Sequence, residues 1–307
     1  MTNATLADTN TGTVRMTAGE RAGIPPRRMD FEFTDETTRY WYGDNAFLTT
    51  FWTTLSALFP EGETFFVDTV KNYRHIITEQ TLKDQVSGFI GQEAMHSKEH
   101  EAFNGMASKH GFPTEKLDKE LGWLFKVIRK VIPKRMQLAA TVALEHYTAI
   151  LAEQLLRDER HQEMFKDKEA LKLWMWHALE ENEHKIVAYD VYKLAGGNYA
   201  ERVFVMFIAT VIFFTVVGTG HIRLLWADKS LFNFKENWKG LKFLWGFNGL
   251  FPRLAGQYFD FYRPGFHPND HDTEALLDDW RHRMLGDGGM LADQIKNPSK
   301  TRPAAAV

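Results

Sequence analysis

Residues 81–109 read TLKDQVSGFIGQEAMHSKEHEAFNGMASK and run into His110-Gly111-Phe112-Pro113. The stretch holds no alternation of apolar and polar residues, and it closes on a glycine followed by a proline. That pattern predicts one long helix with its stop at 110–113. Working upstream, 35–59 reads as a helical segment running into Pro60-Glu61-Gly62, and 63–77 as a shorter one beginning there. Downstream, Thr114 opens an amphipathic segment with Leu117, Leu121, Leu124 and Ile128 on one face. Pro133 suits the first turn of the next helix, which carries Met136, Ala140, Leu144, Tyr147, Leu151 and Leu155. Asp167 begins another, reaching Ala195 before Gly196-Gly197. No run alternates as a half-buried strand would. The expected class is all-α, with a helix-bundle core over about 35–197 and additional C-terminal helices over 198–290.

Composition narrows the chemistry. The 307 residues carry 37 Lys+Arg against 40 Asp+Glu, a net charge of −3, which supplies no basic field for a nucleic-acid backbone. There is no cysteine, so disulfides, thiolate nucleophiles and Cys-ligated metals are excluded. Any metal must be held by Asp, Glu and the 12 histidines. Residues 1–28, closed by Pro25-Pro26, have no apolar core of the secretory type. They read as a flexible leader, 29–290 as a single helical domain, and 291–307 as a disordered tail. A cytoplasmic location is expected.

Two helical segments carry Glu-x-x-His, as Glu93-Ala94-Met95-His96 and Glu181-Asn182-Glu183-His184. On a helix, i and i+3 lie roughly 60° apart, so both side chains of a pair reach one ion. Carboxylate oxygen with imidazole nitrogen suits iron, manganese or zinc better than calcium or magnesium. The segment preceding each pair holds a glutamate in apolar company: Glu63 in GETFFV and Glu145 in LAATVALEHYTAIL. A carboxylate buried there without a counter-charge would be costly, and a metal ion provides one. His177, four before Glu181, shares that face and is the candidate seventh ligand. His100, four after His96, is its rival or an outer partner. His146 points roughly 100° away from Glu145 and is set aside.

The order Glu63, Glu93-x-x-His96, Glu145, Glu181-x-x-His184 resembles that of ferritin-like di-iron and di-manganese carboxylate bundles. The resemblance implies a four-helix core and two metal ions, most readily Fe, with Mn or Zn as alternatives. His177-x-x-x-Glu181-x-x-His184 is similar to the last ligand helix of di-iron arylamine N-oxygenases. Over most of its length the chain also resembles a bacterial family of predicted metal-dependent hydrolases. That likeness rests on PEGETFF (60–66), GQEAMHSKEH (91–100), ALEHYTA (143–149), EENEHK (180–185) and FDFYRPGFHP (259–268). It implies that bundle and C-terminal part form one unit.

Six or seven protein ligands for two metals leave open coordination positions. The helical zinc-hydrolase signature His-Glu-x-x-His is absent, so the ligand set favours O₂-dependent oxidation of a small apolar or aromatic substrate, with an electron donor as partner. The alternative is hydrolysis of an ester, amide or phosphate by a metal-bound hydroxide. Tyr147, and also Tyr73, are candidate hydrogen-bonding or radical partners. Residues 203–220, VFVMFIATVIFFTVVGTG, contain no charge, and 231–254 is amphipathic, with Trp238 and Trp245 beside Lys235, Lys239 and Lys242. A buried helix accounts for the first; peripheral membrane contact through 203–253 is the other expectation. His267, Asp270, His271 and Asp272 read as a Pro-rich connection into a last amphipathic helix rather than as ligands.

Overall fold

The computed structural model describes residues 16–34 and 36–296. Ten helices of eight residues or more make up these regions, with no strand beyond an isolated Tyr42–Phe165 bridge. They are α1 Ala46–Lys71, α2 Gln80–Lys109, α3 Thr114–Val131, α4 Lys134–Arg157 and α5 Lys168–His184, followed by α6 Val187–Leu194, α7 Tyr199–Ala227, α8 Phe234–Trp245, α9 Leu250–Asp260 and α10 Glu274–Leu285. The chain is all-α.

Several ends follow the expected local chemistry. Asp167 caps α5 by accepting from the Ala170 N–H at 2.8 Å, and Gly111 adopts a φ of +88° just after α2. Two boundaries differ from the sequence reading. The first two segments are one helix: α1 begins only at Ala46, capped by Asn45, and passes through Pro60 and Gly62 without a break. An interior proline costs a helix roughly 3 kcal/mol. Burial of residues on both sides of it, from Thr49–Ala57 to Phe65 and Phe66, offsets that penalty. The helix from Asp167 is instead two, because the chain turns at Lys185-Ile186 between α5 and α6.

The reading of 1–28 as a leader is corrected for residues 16–28. A helical turn at Ala18–Arg21 lies against α2, and Ile24 and Arg27 are buried. Gly88 and Gly91 permit this close approach, since a Cβ at Gly91 would overlap Pro26 and one at Gly88 would overlap Ile24. At the other end Leu291 is buried and the Lys296 N–H donates to the Arg28 carbonyl at 2.9 Å, so 291–296 are packed. Residues 1–15 and 297–307 of the expected leader and tail lie outside the described residues.

α7 packs one face, including Val205, Met206, Ala209, Val217 and Leu224, against the rest of the molecule. It is long and apolar enough to cross a membrane, yet only 22% of its apolar stretch is buried. A core helix would be covered on all sides.

Candidate metal centre

Four helices converge on one buried cluster. Glu63 comes from α1, Glu93 and His96 from α2, Glu145 from α4, and His177, Glu181 and His184 from α5. All seven are buried, none more than 4% exposed. On α5 the three residues fall at i, i+4 and i+7, one stripe of a helix, and on α2 the pair falls at i and i+3.

The ligating atoms gather as two triads, Glu63 with His96 and His177, and Glu93 with Glu181 and His184. In each, one atom per residue lies within 4.8 Å of the others. Glu181 stands between them: its Oε1 is 3.1 Å from His177 Nε2 and its Oε2 is 3.8 Å from His184 Nε2. Glu145 Oε2 lies 3.6 Å from His184 Nε2, beside the second triad.

Whether these residues suit metal ions is tested by their unmet polar atoms. Glu63 Oε1, both oxygens of Glu93 and of Glu145, Glu181 Oε2, His96 Nδ1, His177 Nε2 and His184 Nε2 are buried without a hydrogen-bond partner. Natural interiors hold few such atoms. Here nine of them, all lone-pair donors, face one another. Four carboxylates would balance two divalent ions, so the donor set fits.

The other edge of each imidazole is held from outside. His184 Nδ1–H donates to Gln92 Oε1 at 3.0 Å. His96 Nε2–H donates to Glu180 Oε2 at 3.1 Å. His177 Nδ1–H donates to His100 Nε2 at 2.9 Å; His100 in turn bonds Ser56 at 2.8 Å, and Ser56 bonds Asn104 at 2.8 Å. In every case the network assigns the tautomer that leaves the inward nitrogen free to ligate. His100 therefore orients His177, and its own two nitrogens are engaged. Ser97 donates to Glu63 Oε2 at 2.8 Å.

Behind the histidines sits Arg27. Its guanidinium donates to Glu180 Oε1 at 2.8 Å and to both oxygens of Glu183 at 2.7 and 2.8 Å. Glu183 also accepts from Gln92 Nε2 at 2.8 Å and from Arg281 Nε at 2.9 Å. Arg27, Gln92, Glu180 and Glu183 were not singled out from the sequence. The only trace was three glutamates in EENEHK on a helix that cannot expose them all.

Charge settles accordingly. Burial, reinforced by the Glu93 charge, pushes the Glu63 and Glu145 carboxyls well above the usual range. Burial also raises Glu93. Glu181 goes the other way, since three nearby histidines outweigh its burial. Burial works against a charged His96, but Glu180 and Glu181 lift it to about 10. His184 is likewise raised against its burial by Glu181 and Glu93. Burial and the His96 charge drop His177 to about 4. These are the directions four carboxylates adopt in a dry interior when protons supply the positive charge that metal ions would bring.

Two cavities reach the cluster on the side of Glu63 and His177. One is lined by Leu55, Phe59, Glu63, Leu144, Phe213 and Val217, among other apolar side chains; the second by Phe59, Tyr147, Trp174, His177 and Phe213. A small cleft of mixed lining, with Asn182, Lys185 and His271 beside Val142 and Ile150, lies next to Glu145. Tyr147 directs its hydroxyl to Thr210 at 2.6 Å, away from the cluster. Tyr73 is half-buried near Arg135 and Glu201. His146 bonds the Gln257 carbonyl, and His267 and His271 face Asp190 and Asp260.

A family model described as predicted metal-dependent hydrolase matches residues 25–272, most of the chain, and the chain belongs to that family. The matched region takes in Arg27, all seven clustered residues and α7–α9. Neither a curated protein nor a solved structure matches the chain.

Proposed function

From that membership we propose that the chain is a metal-dependent hydrolase whose two ions sit in the Glu63–His96–His177 and Glu93–Glu181–His184 triads. The observation that carries the reading is the set of nine buried, unpartnered ligand atoms on seven residues. Bound ions would lower the pKa of a coordinated water and polarise a substrate carbonyl or phosphoryl oxygen. Glu181 joins the triads, and Glu145 adds the fourth carboxylate that keeps the centre neutral. The cavity at Glu63 and Phe59 takes the apolar part of an ester or amide. The cleft at Asn182 and Lys185 gives water a separate approach to Glu145.

A second reading, O₂-dependent oxidation of an apolar or aromatic substrate at two irons, is favoured by one feature. The carboxylate-rich donor set follows the order of the ferritin-like carboxylate bundles. Metal analysis with two assays on the same sample separates the readings. Under the hydrolase reading, the protein carries about two ions per chain and cleaves acyl p-nitrophenyl esters in a metal-dependent way, whether or not oxygen is present. Metal-dependent O₂ consumption without ester cleavage would transfer the assignment to oxidation. Absence of bound metal would remove both.

A further inference from the structure

The outer face of α7 is mostly apolar, interrupted by the exposed hydroxyls of Thr215 and Thr219 and by Arg223 near its C-terminal end. Phe204, Phe207, Val211, Thr215, Ile222 and Trp226 are exposed at steps of three, four and seven residues, one stripe about 33 Å long at the helical rise. Phe207 is 58% and Trp226 65% exposed. Between Val203 and Ile222 there is no Asp, Glu, Lys or Arg.

α8 continues this surface and adds charge to it. Phe234, Trp238, Leu241 and Trp245, all exposed, fall within about 60° of one another around the helix. Lys235, Lys239 and Lys242 occupy the next sector, all exposed, and Lys242 Nζ lies 5.5 Å over the Trp238 ring. Ring contacts join α7 to both ends of α8. Trp226 meets Phe232, which meets Phe234, and Phe214 meets Trp245 at 5.8 Å. Phe247, at the end of α8, is 96% exposed.

A soluble partner and a lipid surface make different demands. An aromatic stripe bordered on one side by lysines is the pattern of a helix lying in the plane of a bilayer, rings in the acyl boundary and ammonium groups at the headgroups. α7 cannot span the bilayer while its inner face packs on α1 and α4, so contact is from one side. Arg223 and Arg253 are engaged by Glu120 and Asp158, and Glu236, half-buried, touches Asn45 and Lys239. Lys239 is likewise paired with Glu236, so Lys235 and Lys242 form the uncompensated positive edge of this surface.

The same helix forms a wall of the cavity at the cluster. Ala209, Ile212, Phe213, Val216 and Val217 line the pocket that ends at Glu63. One element thus presents one flank to the surroundings and another to the buried carboxylate. We propose that the protein docks on an anionic lipid bilayer through α7 and α8, and that the substrate is an amphiphilic lipid drawn from it into the cavity beside Glu63. The docking stands on the surface alone; the identity of the substrate rests on the hydrolase reading.

Flotation of the full-length chain with vesicles of phosphatidylcholine, alone or mixed with phosphatidylglycerol, tests the docking. Wild type is expected to float with the mixed vesicles and, more weakly, with the neutral ones. Lys235→Glu with Lys239→Glu and Lys242→Glu should lower partitioning onto the mixed vesicles roughly a hundredfold. Phe207→Ser with Trp238→Ser and Trp245→Ser should abolish it on both, with helical circular dichroism unchanged. Glu93→Gln should float like wild type, so failure of the metal reading leaves this result standing. Wild type remaining unbound would overturn the docking. So would a dimer in light scattering that the Phe207→Ser variant dissolves, since the face would then belong to a second copy. If docking holds, cleavage of a vesicle-borne phospholipid by wild type and not by Glu93→Gln supports the substrate class, and cleavage of soluble short esters alone overturns it.

Discussion

Arg27 and Glu180, 153 residues apart in the chain, meet at 2.8 Å with both side chains essentially removed from water. Glu180 holds His96 from behind. The other edge of Arg27 holds Glu183, which holds Gln92, which holds His184. One guanidinium thereby steadies a histidine in each triad.

Replacing Arg27 leaves Glu180 buried with only His96 against it and Glu183 dependent on Arg281 for its counter-charge. Arg27→Ala is expected to destabilise the fold by about 3–5 kcal/mol and to weaken metal binding roughly 10–100-fold. Thermal melts and cobalt titration followed by visible absorption measure the two effects separately. Arg27→Lys keeps the charge but not the fork, and should fall between. Wild-type cobalt affinity in Arg27→Ala would show that the relay does not reach the histidines.

Ligand removal has a signature unlike that of ordinary core damage. Glu93→Gln puts a neutral amide where burial already raises the carboxyl among three other carboxylates, so the metal-free protein should stay close to wild-type stability. The rise in Tm on adding metal should shrink in the same variant. A Tm well below that of metal-free wild type would instead mark Glu93 as structural.

His177 and His100 separate in a paired experiment. His177→Ala removes an inward nitrogen and should take about one ion per chain with it. His100→Ala removes only an orienting contact, so the stoichiometry should hold while affinity falls roughly tenfold or more. Equal loss of metal in both would make His100 a ligand.

Stability should decline in acid for reasons outside the cluster. Burial holds His146, His161 and His221 down at about 4, against an ordinary value of 6.5. Between those limits the unfolded chain binds more protons than the folded one, so stability rises with pH. Their contribution is complete above pH 6.5 and is lost as pH falls toward 4. Chemical denaturation of the metal-free protein at a series of pH values checks this. Replacing His221, which bonds the Phe47 carbonyl, by Gln should flatten part of the slope.

The N-terminal contact is testable without touching a polar group. Gly91→Ala places a methyl where Pro26 sits, and Pro26 lies next to Arg27. The substitution should weaken cobalt binding in the same direction as Arg27→Ala, and a variant indistinguishable from wild type would show that the segment can shift freely.

Much of this was legible in the chain, because helical periodicity is local. The spacing in Glu93-x-x-His96 and in His177-x-x-x-Glu181-x-x-His184 sets each group on one face whatever surrounds it. The structure does bring those residues, with Glu63 and Glu145, into one cluster. The Asp167 cap and the stop at His110-Gly111 are equally local. What i+3 and i+4 spacing left open was which histidine looks inward: His100 and His177 are each four residues from a ligand. Packing of α1 against α2 sorted them, by offering Ser56 to His100 and leaving His177 to face the cluster. Pro60 misled because a local penalty is overruled by burial on both flanks, which no window along the chain reports. Arg27 lay in a stretch with no periodicity, and its partners are more than 150 residues away. The apolar run of α7 carried its composition in the sequence but not its exposure. Which faces of a helix are covered is decided by its neighbours, and that is a property of the assembled fold alone.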